Sequence, residues 1–273
     1  MTGSGFAIER DETGGALVVV DGHAQSYVDL SDPTRLEFDY VTHLAAAIDA
    51  LSPAGPLRVT HIGGAGLTLA RWVAVTRPAS SQVVLEPSAE LTAAVRRELP
   101  LPRGHRIRVR PVTGEAGLAA LRDASADVVL LDAYAGGRVP AALAAPSFLG
   151  ACARVLAPDG VLLANLADEP GLRWVARVEA TARGVLPQTA YIAATEVLKG
   201  RRFGNVVVVA SRAPLDVDAL RRAVARLPFP AGVLDSAQVR RRGGGARPFG
   251  ETTAEGGAVA SPEPPAAGAW RVR

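Results

Sequence analysis

The sequence predicts an α/β protein with a doubly wound, mostly parallel sheet of seven strands and a small N-terminal β-hairpin. Three observations carry this prediction. Short apolar runs alternate with helix-length segments between residues 57 and 184, which is typical of parallel strands joined by right-handed crossover helices. Three glycines follow the first of these runs, at Gly63, Gly64 and Gly66. The last two apolar runs have no helix-length connection, so we expect them to pair antiparallel.

Each predicted element has a local signal. Residues 17–20 and 24–30 are extended runs separated by a turn signal, which together indicate a hairpin. A helix is expected to start at Asp32 and to reach Leu51, because apolar residues recur there at helical spacing. Further strands are expected at 57–62, 82–86, 106–110, 127–132, 160–165, 189–194 and 204–210, and helices at 67–76, 88–99, 115–122, 146–156, 170–184 and 215–227.

These elements divide the chain into three parts. Residues 1–52 hold the hairpin and the first helix, residues 53–234 form a Rossmann-like main domain, and residues 235–273 form a tail. The tail is rich in Gly, Pro, Ala and Arg without periodicity, so we predict it to be disordered. From Arg240 onward, six arginines and three glutamates account for the whole net charge of +3. The body therefore lacks the positive excess that nucleic-acid binding needs.

Composition restricts the class of protein further. No apolar run approaches the roughly 20 residues that span a bilayer, and residues 1–10 carry no signal-peptide pattern. We therefore expect a cytoplasmic protein without a membrane partner. Cys152 is the only cysteine, and the four histidines are scattered along the chain. Neither a disulfide nor a metal site is expected.

Candidate site residues collect at the carboxyl ends of the predicted strands. Gly63, Gly64 and Gly66 follow the first strand of the main domain, and Glu86 ends the second strand roughly 20 residues later. Glycines let backbone N–H groups approach a ligand, and an acid at this spacing holds ribose hydroxyls in nucleotide-binding β-α-β units. The pattern predicts a ligand that contains a ribose. The alternative is structural: glycines that permit close packing and an acid at a helix N-terminus.

Two further acids and a tyrosine lie at the same predicted edge. Glu115 follows the third strand, Asp132 ends the fourth, and Tyr134 lies in the glycine-rich loop behind it. An NAD-dependent oxidoreductase also needs a glycine turn and an acid, and it stays open as an alternative. The two extra acids and the antiparallel final strands favour the class I S-adenosylmethionine-dependent transferase fold. In that fold the turn holds the amino-acid end of the ligand, and the acid after the third strand meets the adenine amine.

The order of several motifs resembles the spermidine synthases, which are polyamine aminopropyltransferases. The resemblance covers about residues 17–211. The segments that carry it are LVVVDGHAQ at 17–25, EFDY at 37–40, IGGAG at 62–66, VLE at 84–86, GEA at 114–116, DVVLLD at 127–132, and FG at 203–204 with VVVVAS at 206–211.

The resemblance implies a transferase that uses S-adenosylmethionine or its decarboxylated form as co-substrate. It would move a methyl or aminopropyl group to a small acceptor such as an amine, without a metal. Gln25, together with the acids Glu86 and Glu115, would contact the donor. Tyr40 would face the acceptor. Asp132 would be the general base. The N-terminal hairpin is a dimer contact in the resembling family, so a homodimer is also implied.

Three positions depart from the pattern of that family. Gly66 and Ala135 stand where the family has aspartates, and Val41 stands where it has His or Gln. Loss of the first aspartate favours a donor that keeps its carboxylate. Loss of the second removes one of the two anionic partners that a diamine needs, which argues against spermidine synthesis. A non-catalytic scaffold or ligand sensor with this fold is the alternative from another class.

Overall fold

The computed structural model describes residues 5–252 and 256–265. Eleven strands lie in these ranges: β1 (Phe6–Arg10), β2 (Gly15–Val20), β3 (His23–Asp29), β4 (Arg58–Ile62), β5 (Ser81–Leu85), β6 (Ile107–Arg110), β7 (Ala126–Leu131), β8 (Leu156–Asp168), β9 (Gln188–Ala194), β10 (Gly204–Ser211) and β11 (Ala231–Leu234). The helices are α1 (Asp39–Leu51), α2 (Thr68–Thr76), α3 (Ala89–Glu98), α4 (Gly114–Ala119), α5 (Pro146–Val155), α6 (Arg173–Arg183), α7 (Thr195–Leu198), α8 (Val217–Val224) and α9 (Ser236–Gly243), and Ala141–Ala144 is a 3₁₀ turn.

The large sheet has the predicted doubly wound topology. Its strand order is β11-β9-β10-β8-β7-β4-β5-β6. Strands β4 to β8 pair in parallel, and β10 pairs antiparallel with both β8 and β9, as predicted. The order of the strands reverses between β4 and β7, which is where ligands bind in open α/β sheets.

The sheet has eight strands in the described part of the chain, one more than the predicted seven. The additional strand β11 pairs antiparallel with β9 at the edge of the sheet, where Val233 lies opposite Ile192. Its four residues are only partly buried. A strand this short and this exposed carries no alternation of apolar and polar residues, so the sequence pattern did not indicate it.

Both faces of the sheet are covered. Val129 and Leu131 of β7 belong to a core shared with α5 and α6, whereas Val128 and Leu130 belong to a core shared with α1, α2 and α8. Successive side chains of a strand point to opposite faces, so β7 is buried on both sides and reads as a continuous apolar run.

The N-terminal strands form a separate antiparallel sheet in the order β1-β2-β3. The predicted hairpin is β2 and β3, and its turn residues Asp21 and Gly22 both have positive φ, at 50° and 76°, which is the signature of a type I′ turn. Strand β1 was not predicted. It pairs with β2 over its whole length, from Phe6 opposite Val20 to Arg10 opposite Ala16.

Helix α1 begins at Asp39, not at the predicted Asp32. The Asp32 carboxylate accepts hydrogen bonds from the backbone N–H and the hydroxyl of Thr34, at 3.0 and 2.5 Å. This local turn competes with a helical start. Leu44 and Ile48 of α1 are buried in the core of the large sheet, so the helix packs on the main domain although it was predicted together with the hairpin.

The prediction of a disordered tail from residue 235 is wrong for residues 235–252 and 256–265. Helix α9 starts with a capping box between Asp235 and Gln238. Phe249 is buried and lies 4.0 Å under the guanidinium of Arg177. Composition hid these few anchors, because their partners are distant in the chain. The remaining tail residues, 253–255 and 266–273, lie outside the described residues.

The C-terminal segment also holds the loop that follows β7. Ser261 is fully buried; its hydroxyl accepts from the N–H of Val139 at 2.9 Å, and its N–H donates to the carbonyl of Val139 at 3.0 Å. Arg138 Nε donates to the carbonyl of Ser261 at 2.6 Å. Trp174 Nε1 anchors the segment through the carbonyl of Val259 at 2.9 Å.

In the described ranges, no helix is both long and apolar enough to cross a membrane.

The substitution Ser261→Val is expected to lower the free energy of unfolding by about 1–3 kcal/mol, because it leaves the buried N–H of Val139 without an acceptor. Urea denaturation measures this change. Trypsin cleavage after Arg138 should become faster in the same variant. Ser125→Ala, which removes an exposed hydrogen bond to Arg122, is the control. Unchanged urea and trypsin results for Ser261→Val would contradict the docking of this segment.

Candidate active site

One cavity lies where the strand order reverses, between the carboxyl ends of β4 and β7. Five of the residues predicted from the sequence line it: Gln25 from β3, Tyr40 from α1, Gly63 and Gly64 from the turn after β4, and Asp132 from the end of β7. They come from four separate parts of the chain. The fold therefore brings together residues that the sequence placed at strand ends.

The glycine turn passes close to the neighbouring strands. Gly63 has a φ of 85°, and a Cβ on it would overlap the carbonyl oxygen of Asp132. A Cβ on Gly64 would lie 2.6 Å from a methyl group of Val84. Gly63 needs glycine for both packing and backbone conformation, whereas Gly64 needs it for packing alone. The structural and ligand-binding interpretations of these glycines are thus compatible.

Gly66 does not line this cavity. Its N–H donates to Ser26 Oγ at 3.1 Å, and a Cβ on it would lie 2.9 Å from the Cβ of Ser26 and 2.8 Å from a methyl group of Val28. Strand β3 therefore fills the space beside this position. An aspartate at residue 66 would require β3 to move. The observed position of β3 therefore requires a glycine at this position.

Glu86 contacts the glycine turn from the end of β5. Its Oε2 accepts from the N–H groups of Gly64 and Ala65, at 3.1 and 3.4 Å, and its Oε1 accepts from the N–H of Ser88 at 3.0 Å. The carboxylate thus lies on the donors of the turn. Glu115 is in the first turn of α4 and is exposed. It lies outside the cavity.

Asp132 is the one carboxylate that lines the cavity among the described residues. Its N–H donates to the carbonyl of Ile62 at 2.9 Å, which ties the end of β7 to β4. Its Oδ1 accepts from Asn165 Nδ2 at 2.9 Å. Burial raises the pKa of Asp132 to about 6, against the opposing effect of the Asn165 hydrogen bond. At neutral pH this carboxylate is ionised, and it can accept a proton.

Two asparagines that the sequence pattern did not indicate lie in series behind this carboxylate, and only Asn165 contacts it. Asn165 lies on β8 and is fully buried, and Asn205 lies at the start of β10. Asn205 Nδ2 donates to Asn165 Oδ1 at 2.9 Å and to the Tyr134 hydroxyl at 3.3 Å. The Tyr134 hydroxyl donates to the backbone carbonyl of Asn165 at 3.2 Å. The signal in the sequence was Asn165, a single polar residue inside the apolar run of residues 161–167. A buried amide needs hydrogen-bond partners, so such a residue indicates a polar contact in the core.

The other titratable groups near Asp132 are neutral around pH 7. Burial and the nearby Asp132 raise the pKa of Tyr40 and of Tyr134 well above the ordinary value of a phenol. His61 also lines the cavity, and burial lowers its pKa to about 4. Its Nε2 lies 2.8 Å from Oε1 of Gln82. The cavity therefore combines one anionic base with neutral hydrogen-bonding groups.

In the described part of the chain, no three His, Cys, Asp or Glu side chains are grouped to hold a metal ion. The arrangement can perform general-base chemistry. A nucleophile that loses its proton to Asp132 would lie beside the glycine turn.

Comparison with known proteins identifies the family. No family model matches the chain. A probable spermidine synthase from Corynebacterium glutamicum is 31% identical to it, with 92% of this chain and 94% of that chain covered and a TM-score of 0.85. The chain belongs to the spermidine synthase-like family. A polyamine aminopropyltransferase of Neisseria meningitidis serogroup A is 24% identical over 215 residues, which are 77% of this chain and 78% of the relative.

This spermidine synthase-like protein is a transferase with the class I methyltransferase fold. Human methyltransferase-like protein 13 in complex with SAH has the same fold, with a TM-score of 0.53 at 19% identity over 78% of this chain and 93% of that chain. The predicted fold class and the predicted transferase class are confirmed. The weaker alternative, an NAD-dependent oxidoreductase, gains no support from these relatives.

The substitution Asp132→Asn is expected to raise the free energy of unfolding at pH 8 by about 1–3 kcal/mol, because ionising this carboxyl in the folded protein is unfavourable. The pKa of Asp132 is raised on folding, from 3.8 to about 6. The gain should therefore vanish below about pH 4, where the carboxyl is protonated in both states, and should be complete above about pH 6. Urea denaturation between pH 4 and pH 8 measures it.

Asp159→Asn is the matched control for this prediction, because Asp159 is exposed. It should leave the stability nearly unchanged at every pH. A gain from Asp132→Asn that is independent of pH would show that the carboxyl titrates equally in the folded and unfolded protein.

Proposed function

We propose that this protein transfers a group from S-adenosylmethionine to a small amine acceptor, with Asp132 as the general base. One observation carries the proposal: the glycine turn and the Asp132 carboxylate share a single cavity at the point where the strand order reverses. A donor on the turn and an acceptor at the carboxylate would therefore meet within this cavity.

The donor would bind against the turn after β4. Glu86 is positioned to hold the ribose hydroxyls, since it ends β5 and its carboxylate lies on the turn. When the Glu86 carboxylate turns from the glycine turn to the ribose, it would release the N–H groups of Gly64 and Ala65. These N–H groups would then face the amino-acid end of the donor. Gln25 borders the same cavity from β3. The adenine would extend beyond the cavity toward α4, where the exposed Glu115 would meet its amine. The SAH complex of the human relative supports a donor of this type.

The reaction would be a displacement at a carbon beside the sulfonium. The acceptor nitrogen forms a bond to that carbon, the carbon–sulfur bond breaks, and a neutral thioether leaves. An amine with a pKa near ~10 must first lose a proton, and that proton goes to Asp132. The charge of Asp132 helps to raise the pKa of Tyr40 and of Tyr134. These neutral phenols would orient the acceptor. Correct placement supplies much of the rate.

The donor that fits best is the intact form with its carboxylate. Strand β3 fills the space beside Gly66, so no anion there can pair with the amine of a decarboxylated donor. Behind the turn, the buried Arg71 donates from Nε to the carbonyl of Gly66 at 3.2 Å and from its other nitrogens to the carbonyls of Leu99 and Pro100. No carboxylate is bonded to this guanidinium in the described residues. Methyl transfer is therefore our first candidate.

Aminopropyl transfer is the second candidate, and it is favoured by the names of the bacterial relatives. It would use the decarboxylated donor. Spermidine synthesis itself is disfavoured by Ala135, because a diamine acceptor would lack a second carboxylate in the loop after Asp132.

Calorimetric titration of the two donor forms distinguishes these candidates. Intact S-adenosylmethionine is expected to bind at least about 10-fold more tightly than the decarboxylated form, a difference of about 1.4 kcal/mol. Glu86→Ala should weaken binding by about 10-fold or more, because it removes the ribose contact. Glu90→Ala on the exposed side of α3 is the control. Tighter binding of the decarboxylated form would establish the second candidate, and failure of both to bind would refute the donor proposal.

The substitution Asp132→Asn should lower the turnover number by about 10²–10⁴-fold, because the acceptor amine loses its base. Donor affinity should not change. Mass spectrometry of reactions with a panel of mono- and diamines measures product formation. Unchanged turnover in Asp132→Asn would exclude this residue as the base. Donor binding without any product in the native protein would favour the non-catalytic scaffold or sensor.

A further inference from the structure

We infer that Asn205, which does not border the cavity, is a positioning residue that selects the proton-accepting oxygen of Asp132 through Asn165. The catalytic meaning of this inference rests on the proposed function. The hydrogen-bond geometry itself does not.

The residues form a chain across three neighbouring strands. Asn205 at the start of β10 donates to Asn165 Oδ1 on β8, at 2.9 Å. Asn165 Nδ2 then donates to Asp132 Oδ1 at the end of β7, also at 2.9 Å. Strand β8 lies between β10 and β7 in the sheet, so the fixed spacing of the strands holds the three side chains in line.

The direction of this chain is determined at its far end. A carboxamide has one accepting oxygen and one donating nitrogen. Asn205 Nδ2 has two hydrogens, and it meets two acceptors: Asn165 Oδ1 at 2.9 Å and the Tyr134 hydroxyl at 3.3 Å. The Tyr134 hydroxyl uses its own hydrogen on the backbone carbonyl of Asn165. The two hydrogens of Asn205 Nδ2 and the hydrogen of the Tyr134 hydroxyl are therefore each assigned to an acceptor.

A reversed Asn165 amide would be unfavourable at both ends. Its oxygen would face the Asp132 carboxylate, and its NH₂ group would face the NH₂ group of Asn205. Asn165 is fully buried, so water cannot relieve either contact. Asn205 thus keeps the Asn165 donor directed at Asp132, although Asn205 does not touch the carboxylate.

This orientation distinguishes the two oxygens of Asp132. Oδ1 is occupied by the Asn165 donor, whereas no protein donor contacts Oδ2 in the described part of the chain. An incoming proton therefore goes to Oδ2. The amide also stabilises the ionised carboxylate without adding a positive charge to a cavity that would hold a sulfonium donor.

Few titratable groups face this carboxylate. Tyr40 of α1 and Tyr134 of the loop after β7 are neutral phenols near pH 7, and the neutral His61 of β4 lines the same cavity. Strands β8 and β10 contribute only the two asparagines. Asp39 of α1 acts on Tyr40 and lies 3.9 Å from Arg202. A change in the titration of Asp132 on substituting Asn205 would therefore be transmitted by Asn165 or by the neutral Tyr134, and the double variant separates the two routes.

Carbon-13 NMR of protein labelled at the aspartate carboxyls tests this inference without substrate. The signal of Asp132 is assigned by its loss in Asp132→Asn. Asn205→Leu should raise the pKa of Asp132 by about 0.5 or more, because the charged form loses a well-oriented donor. Asn165→Leu should raise it by about 1. The double variant should show no larger shift than Asn165→Leu alone, since Asn205 acts only through Asn165. Asn205→Ala replaces Asn205→Leu if the leucine variant does not fold.

Asp168 is the internal control in the same spectra. It ends β8 and accepts from the N–H groups of Glu169 and Val175, both at 2.8 Å, and it has no bond to either asparagine. Its titration should not change in the Asn205 variants. An equal shift of Asp168 would show a distorted sheet and would overturn the inference, as would an unchanged Asp132 pKa or additive shifts in the double variant.

Kinetics separate this inference from the proposed function. If the protein is an active transferase, the acid limb of kcat/KM should move by the same amount as the NMR pKa in Asn205→Leu, with the KM for the donor unchanged. A shifted NMR pKa in a protein without transferase activity would uphold the positioning role and refute the proposed function.

Discussion

The turn after β4 touches the backbone of Asp132, and this contact depends on the missing side chain of Gly63. Any Cβ at that position would overlap the Asp132 carbonyl oxygen. The Asp132 N–H donates to the carbonyl of Ile62, the last residue of β4. The carboxyl ends of β4 and β7 are thereby locked side by side. The glycine turn and the Asp132 carboxylate line one cavity because of this contact.

Around that contact, polar and charged side chains are buried, and burial costs them the hydration that they would have in water. Asp132 is ionised only above a raised pKa, and Asn165 is fully buried between apolar neighbours on β8. The cost is limited because the amides and the Tyr134 hydroxyl satisfy one another in series. A fully satisfied network holds a charged group in place, whereas a partly satisfied one would destabilise the sheet.

The two ends of the chain complete the site from opposite directions. Strand β3 fills the space at Gly66, and the C-terminal segment binds the loop after Asp132 through Ser261. The two meet at Gly137, where a Cβ would lie 2.7 Å from His23 Nε2 and 2.9 Å from Pro264. The predicted division of the sequence into three parts separates both ends from the main domain. In the structure, both ends pack against that domain. Strand β3 lines the cavity through Gln25 and Ser26, and the C-terminal segment holds the loop that follows Asp132.

The sequence by itself determined most strands and helices of the main domain, though not α7 or β11, and it placed the glycine turn and the acids Glu86 and Asp132 at strand ends. These features are local: hydrophobic periodicity is written over a few residues, and a turn needs its glycine wherever it lies. Only the tertiary structure decided that Gly66 faces β3, that Glu115 lies outside the cavity, that Ser261 anchors the tail, and that Asn165 and Asn205 are hydrogen-bonded in series with Asp132. Apart from the position of Glu115, each of these depends on a contact between residues about 33 or more positions apart, and the composition of a short segment carries no information about such a partner.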